Sequence, residues 1–166
     1  MKQSLEGCTG KGLEIVENNV TLNCRNYTIT GANERNTGIT VNAQSGVEIK
    51  NCNIKGFYSG ISLENSSNSV IKNTDSSSNY ATGISLKGSD RNLIKSNNVS
   101  ANWDGIFLQN STGNKIKGNE MHRNTIDGVH LFYGSFNNSI EGNNLTRNRG
   151  HGLAPAVCGN RINNNT

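Results

Sequence analysis

The sequence predicts an all-β protein, a right-handed single-stranded parallel β-helix with about 22–24 residues and three short strands per coil. Two repeating features indicate this fold. A glycine followed by an apolar-x-apolar triplet recurs at Gly38, Gly60, Gly83, Gly105 and Gly128, and more weakly at Gly152. An isoleucine recurs with the same period, at Ile49, Ile71, Ile94, Ile116, Ile140 and Ile162. A constant period of this length over five or more copies is typical of a solenoid.

The pattern within one period indicates strands. Apolar and polar residues alternate over three or four positions and are then interrupted by Gly, Asn and Ser. In the period that begins at Gly105, Ile106 and Leu108 would share one inward face, Ile116 would follow after a turn and Met121 after another. Helical spacing of apolar residues is not sustained anywhere, and the spacing of leucine-rich repeats is absent.

The length of 166 residues fits a single domain, residues 1–166. Residues 1–35 are the least regular and are expected to form a wider N-terminal coil, and residues 36–166 to form the regular coils. Because the repeat stops in mid-coil after Asn160, we expect a fragment of a longer solenoid or an end-to-end oligomer. No apolar run is long enough for a signal peptide or a membrane span.

A lysine column is predicted on one face of the β-helix. The residues that follow the repeated isoleucines are Lys50, Lys72, Lys95 and Lys117, then Glu141 and Asn163. Together with the net charge of +4, this stripe indicates an acidic polysaccharide as partner, and a solubilising lysine face is the alternative. Nucleic acid is not expected, because the stripe has no recognised binding motif and no interleaved aromatic residues.

A second column, immediately before each repeated glycine, contains the candidate catalytic residues. Its members are Thr37, Ser59, Thr82, Asp104, Asp127 and His151. Two adjacent aspartates could share a proton or a cation, and paired carboxylates perform the acid and base steps of glycosidases. His130 would be close to them on an outward position of its strand. The alternative is that the Asp-Gly pairs only form turns.

Aromatic residues cluster at the same edge of the predicted sheet. Those assigned to ligand binding, together with the lysines Lys72, Lys95 and Lys117, are Tyr58, Tyr80, Trp103, Phe107, Phe132 and Tyr133. Sugar rings stack on exposed aromatic side chains, so we place a carbohydrate site here. Alternatively, some of these rings fill the turns that lead into the strand.

Asparagine and cysteine also occur at equivalent positions. Cys52, Thr74, Asn97, Asn119, Asn143 and Asn165 each lie three residues after a repeated isoleucine, which predicts a ladder of side-chain hydrogen bonds. Cys24 would pair with Cys52 across one strand spacing, or else with Cys8, and Cys158 would remain unpaired. No close Cys-Cys or Cys-His pair indicates zinc.

These motifs resemble the NosD-like parallel β-helix repeat proteins of the pectin-lyase-like fold. The resemblance rests on the segments 20–24 and 27–31 and on the coils that follow them, and it covers nearly the whole chain. It implies a secreted or cell-surface module that binds carbohydrate or hydrolyses sugars. Relatives that act on polysaccharides use Arg, Lys, His, Asp and sometimes calcium, so calcium is left open. No other cofactor is expected, and the histidine spacing suits no copper motif.

We interpret the chain as a non-catalytic extracellular or cell-surface β-helix that binds a glycan, with an acidic polysaccharide as one candidate. The interpretation as a non-enzyme rests on two absences, those of an Asp-Pro-His-Asp run and of a repeated arginine column. The alternative is a polysaccharide lyase, hydrolase or epimerase, or a part of one.

Overall fold

A computed structural model describes residues 1–32, 35–155 and 157–166. The described chain consists of short β-strands connected by turns, and none of its segments is a helix that could span a membrane. In chain order the strands are β1 (Leu5–Cys8), β2 (Leu13–Ile15), β3 (Thr21–Asn23), β4 (Thr28–Gly31), β5 (Thr37–Asn42), β6 (Glu48–Lys50), β7 (Asn53–Lys55), β8 (Ser59–Glu64), β9 (Val70–Lys72), β10 (Thr82–Lys87), β11 (Leu93–Lys95), β12 (Asp104–Gln109), β13 (Lys115–Lys117), β14 (Val129–Leu131), β15 (Ser139–Glu141), β16 (Leu153–Pro155) and β17 (Arg161–Asn163).

The strands form three parallel sheets, and each coil contributes one strand to sheet B and one to sheet C. Sheet B has the order β16-β14-β12-β10-β8-β5-β2, and sheet C has the order β17-β15-β13-β11-β9-β6-β3. Sheet A contains β1, β4 and β7 and continues as single-residue bridges through Asp75, Asn98, Glu120 and Asn144. This architecture confirms the predicted parallel β-helix, with its third strand reduced to one bridging residue in the later coils.

The number of residues per coil decreases after the first coil. Strand pairing joins Leu13 to Ile39 and Thr21 to Glu48, which are 26 and 27 residues apart. From β5 onward the paired residues are 22 to 24 apart, as for Ile39 and Ile61. The first coil is therefore wider than those that follow it.

The core consists of columns of β-branched and leucine side chains that point into the coil. Three columns contain most of the fully buried side chains: Ile39, Ile61, Ile84, Ile106 and Val129; Val41, Leu63, Leu86, Leu108 and Leu131; and Ile49, Ile71, Ile94, Ile116 and Ile140. Each residue packs directly on its equivalent in the next coil. A narrow interior filled in this way needs few apolar residues, which accounts for the apolar fraction of only 32%.

The repeated glycine lies where two coils approach too closely for a side chain. A Cβ atom on Gly38 or Gly60 would be 2.6 or 2.7 Å from the carbonyl oxygen of the equivalent glycine in the next coil. Any larger residue would push the coils apart. The repeat that reveals the fold in the sequence thus reflects coil-to-coil contact.

Polar side chains form ladders inside the turns. In the predicted ladder, the Asn97 backbone N–H donates to Asn119 Oδ1 at 3.0 Å, and the Asn119 N–H donates to Asn143 Oδ1 at 2.9 Å. Three further ladders were not predicted: Asn79, Asn102, Asn124 and Asn148; Asn92, Asn114, Asn138 and Asn160; and Ser66, Ser89, Ser111 and Ser135. These ladders satisfy buried backbone donors that the short strands leave unpaired.

The disulfide connects the first two coils. Cys24 and Cys52 are bonded, with their Cα atoms 4.7 Å apart. The structure thus selects this pairing over Cys8 with Cys24, and both Cys8 and Cys158 are free thiols.

Candidate functional site

Three aromatic side chains form a wall beside sheet B. The three side chains come from the turns that lead into the neighbouring strands β8, β10 and β12. They belong to Tyr58, Tyr80 and Trp103. About half of each side chain is exposed, at 53%, 50% and 53%. The wall therefore follows the long axis of the β-helix and is open to solvent.

The wall borders a cleft of about 540 Å³ on the outer surface of sheet B. Its floor carries hydroxyl groups from Ser59, Thr82 and Ser85, of which the Ser59 and Thr82 hydroxyls are hydrogen-bonded at 2.8 Å. Lys87 also lines the cleft. The full lining is Tyr58, Ser59, Tyr80, Ala81, Thr82, Ser85, Lys87, Trp103, Asp104 and Phe107. Apolar walls with a few polar groups are typical of ligand sites.

Asp104 lies at one end of the cleft, and Asp127 occupies the equivalent position in the next coil. Each aspartate accepts a backbone N–H of the following coil with one carboxylate oxygen. Asp104 Oδ1 accepts the Asp127 backbone N–H at 3.1 Å, and Asp127 Oδ1 accepts the His151 backbone N–H at 2.7 Å. These bonds run in the opposite direction to those of the asparagine ladders, in which each side-chain oxygen accepts a backbone N–H of the preceding coil. The first oxygen of each aspartate is therefore structural.

The second oxygen of each aspartate faces His130. His130 Nδ1 lies 3.5 Å from Asp104 Oδ2 and 3.6 Å from Asp127 Oδ2, which are ion-pair distances. Asp127 is 3% exposed, so the cluster is open chiefly through Asp104 and His130. The carboxylates fix the orientation of the imidazole and favour the proton on Nδ1. Among the described residues, Nε2 has no hydrogen-bond partner.

Two phenyl rings hold the imidazole in place. The His130 ring meets the Phe107 and Phe132 rings edge-on, at centroid distances of 5.3 and 5.9 Å. Phe107 and Phe132 stack on each other at 6.0 Å. His130 therefore has one side against two carboxylates and its flanks against apolar rings.

Burial raises the pKa of the Asp104 carboxyl above its ordinary value of 3.8. The Asp127 backbone N–H and His130 act against this shift but do not reverse it, and the neighbouring Asp127 charge adds to it. A carboxyl that retains its proton to higher pH than usual can serve as an acid.

The same three side chains could hold a metal ion. One ligand atom from each of Asp104, Asp127 and His130 lies within 4.8 Å of the other two. Calcium prefers oxygen ligands, whereas an imidazole beside carboxylates suits zinc or another transition metal better. The donor set therefore fits such an ion better than calcium.

The remaining predicted residues lie at varying distances from this cluster. His151 Nδ1 is 3.3 Å from Asp127 Oδ1, but its side chain is 77% exposed. Tyr133, at 73% exposed, is the most open of the aromatic residues and does not line the cleft. The prediction from sequence named Ser59 and Thr82 only as members of the column before the glycine, and it missed Ser85 and Lys87, which occupy outward positions of the Gly-Ile-Ser-Leu strand.

The predicted lysines do not belong to this cleft. Lys72, Lys95 and Lys117 lie in register on sheet C, and Lys72 is ion-paired to Glu48 at 2.6 Å. Sheet B and sheet C are different faces of the coil, so the lysine column and the aromatic wall are two separate surfaces.

Solved structures share this fold. The periplasmic alginate epimerase AlgG has a TM-score of 0.72 and 18% identity, with 94% of this chain and 47% of that chain covered. The A-module of the Azotobacter vinelandii mannuronan C-5 epimerase AlgE4 gives 0.74 and 15%, covering 94% and 49%. An alginate lyase from Paenibacillus sp. str. FPU-7 gives 0.69 and 16%, covering 94% and 64%. The chain spans about half the length of the two epimerase structures.

No curated protein sequence matches the chain. The family model described as the right-handed β-helix region matches residues 11–166. This match, together with the shared architecture, confirms the pectin-lyase-like fold that the repeats resemble. Because the match covers most of its length, the chain belongs to the right-handed β-helix family.

Proposed function

We propose that the chain acts on a polysaccharide at the outer surface of sheet B. The aromatic wall and the hydroxyl floor bind the sugar chain, and Asp104, Asp127 and His130 supply proton transfer. One observation carries this proposal: the aromatic-lined cleft leads directly to two carboxylates and an imidazole that converge within ion-pair distance. The fold relatives named as alginate epimerases and an alginate lyase support it.

The geometry assigns a different role to each member of the cluster. Asp104 lines the cleft and has a raised pKa, which suits an acid that protonates an oxygen of the sugar chain. His130 has Nδ1 fixed by two carboxylates and Nε2 free, which suits a base beside the cleft residues Asp104 and Phe107. Asp127 is buried and positions both neighbours.

A non-catalytic glycan-binding module is the second candidate. It is favoured by the ladder bonds, since both aspartates have a structural reason to occupy their positions whether or not catalysis occurs. In that case the same aromatic wall would bind the sugar chain. This candidate also accounts for the missing Asp-Pro-His-Asp run and arginine column.

We place the protein outside the cytoplasm, at the cell surface, in the periplasm or in the medium. The Cys24–Cys52 disulfide supports this location, because such bonds persist in oxidising compartments. The name of the fold relative AlgG, a periplasmic epimerase, agrees with it.

The test is an activity screen with carboxylated and neutral polysaccharides, using three readouts. New reducing ends without unsaturated products indicate hydrolysis, unsaturated ends indicate elimination, and solvent deuterium in an uncleaved chain indicates epimerisation. Asp104→Asn and His130→Gln are expected to lower the rate by about 10²-fold or more, the usual contribution of a general acid or base.

Asp90→Asn is the matched control. Asp90 Oδ1 accepts the Thr112 backbone N–H of the next coil at 2.7 Å, just as Asp104 Oδ1 accepts that of Asp127. Asp90 does not belong to the His130 cluster. An asparagine retains the acceptor at either position, so both variants should fold. Full activity in Asp104→Asn, or binding with no product from any polysaccharide, would leave the binding module as the function.

A further inference from the structure

The outer surface of sheet C carries six of the 16 lysine and arginine residues of the chain and only two carboxylates. We define the basic face as the outward residues of β6 to β17 on this sheet. Its charged members are Lys50, Lys72, Lys95, Lys115, Lys117 and Arg161, with the carboxylates Glu48 and Glu141. The six cations exceed the two carboxylates by four, which equals the formal net charge of the whole chain.

The carboxylates divide this face into a neutralised end and a free end. Glu48 lies 2.5 Å from Lys50 Nζ and 2.6 Å from Lys72 Nζ, and these two ammonium groups lower its pKa to about 2. Of the carboxylates that the structure describes, none is within ion-pair distance of Lys95, Lys115 or Lys117. The free positive charge therefore concentrates on β11 and β13.

At the other side of these lysines, Glu141 is only weakly engaged with the cations. Its Oε1 accepts the Ser139 hydroxyl at 2.7 Å and lies 3.8 Å from Arg161 Nε. The Ser139 hydrogen bond is the main reason that the pKa of Glu141 is lowered, with smaller contributions from Arg161 and the nearby lysines. Arg161 thus extends the basic region by two further coils.

A groove of about 510 Å³ runs through this region. It is lined by Leu93, Lys115, Lys117, Ser139, Glu141 and Arg161, among others. Leu93 is an outward, half-buried residue, and it gives the groove an apolar section between the basic groups. The face therefore has shape and apolar surface as well as charge.

We propose that the basic face binds a linear anionic polysaccharide along the axis of the β-helix, at Lys95, Lys115, Lys117 and Arg161. Neighbouring lysines one strand spacing, about 4.8 Å, apart repel each other even in water, and a polyanion removes this repulsion. Single-stranded nucleic acid is the poorer match, because it uses aromatic stacking and no aromatic residue lines the described groove.

This site is distinct from the sheet B cleft. One polysaccharide can therefore bind the basic face while the cleft on sheet B remains available for a second polysaccharide. The proposal does not depend on catalysis, so its failure would leave the proposed function of sheet B intact.

The test compares the binding of dextran sulfate and uncharged dextran at low and high salt. Lys95→Gln/Lys117→Gln is expected to bind dextran sulfate about tenfold more weakly and with a shallower salt dependence, because two ion pairs of about 0.7 kcal/mol each are lost. Lys2→Gln/Lys55→Gln removes the same charge from exposed positions on other surfaces and should change binding by less than about twofold.

Glu141→Gln adds a gain-of-affinity measurement. Removing this carboxylate, which lies between Arg161 and Lys117, should strengthen dextran sulfate binding by about threefold, and the fold is preserved because the side-chain shape is unchanged. Equal losses in the two lysine pairs, or tighter binding of single-stranded DNA than of dextran sulfate at matched charge, would overturn the proposal.

Discussion

Asp104 performs two separate tasks with its two carboxylate oxygens. Oδ1 accepts the backbone N–H of Asp127 in the next coil. Oδ2 faces His130 and lies at the edge of the cleft. Asp104 thus joins two coils and adds an ionisable group to a column that holds hydroxyl residues in the preceding coils.

The raised pKa of Asp104 predicts that the free energy of unfolding depends on pH. Since burial raises the Asp104 pKa above 3.8, the native state binds this proton more tightly than the unfolded chain does. The stability contributed by the protonated carboxyl is complete below pH 3.8 and is lost as the pH rises through the raised pKa. Asp104→Asn cannot ionise, so its free energy of unfolding should rise relative to wild type from pH 3 to pH 7. Urea denaturation at several pH values measures this difference, and parallel curves would contradict the raised pKa.

At the scale of elements, the ladders join successive coils in the turns, as the strands do in the sheets. All seven strands of sheet C have only three residues, so many backbone donors lie in turns outside the sheets. Asn119 shows how these donors are satisfied: its Oδ1 accepts from Asn97, and its Nδ2 donates to Ile94 O at 2.9 Å and to Asn143 Oδ1 at 3.0 Å. The turns are consequently as well specified as the strands.

Asn119→Ala should lower the free energy of unfolding by about 2–3 kcal/mol, because it leaves the buried Asn97 N–H without its acceptor and removes the Asn119 amide bonds to the Ile94 carbonyl and to Asn143. Asn42→Ala is the control, since Asn42 is an exposed asparagine at a strand end and should change stability by less than about 0.5 kcal/mol. Equilibrium denaturation in urea measures both. Similar small losses would show that the ladder amides are replaceable by water.

At the scale of the whole molecule, the structure is nearly one-dimensional. Each coil packs on its two neighbours, and the Cys24–Cys52 disulfide connects only the first two. In such a solenoid, stability is the sum of the coils and their interfaces, so a local change need not reach distant coils.

Reduction of the disulfide, or Cys24→Ser/Cys52→Ser, should therefore have a local effect. The bond closes a segment with a sequence separation of 28, which corresponds to about 3–4 kcal/mol of stabilisation in the chain-entropy model. We expect hydrogen exchange to accelerate around Ile29 and Ile54, while Ile94 and Ile116 retain their protection. Uniform acceleration along the chain would indicate that the β-helix unfolds as a single cooperative unit.

The sequence by itself determined the fold, because a residue in a solenoid has its neighbour one period away. That rule placed Ile94 on Ile116, Asp104 beside Asp127 and Lys95 beside Lys117, and each of these contacts is present. It also predicted one asparagine ladder, whose members keep a constant distance from the repeated isoleucine. Two of the ladders that were not predicted also keep a constant distance from this isoleucine: the one that begins at Asn92 lies two residues before it and the one that begins at Ser66 lies five residues before it.

Only the tertiary structure decided how columns relate around the coil. The period gives the order along the axis, but the angle between faces depends on the turns, whose left-handed residues, such as Asn51 and Ser96, set the direction of each sheet. The structure therefore brings Lys87 to the aromatic cleft and separates the lysine column from it. It also chose Cys52 as the partner of Cys24 and turned both aspartate Oδ2 atoms toward His130, because side-chain direction depends on neighbouring coils rather than on spacing along the chain.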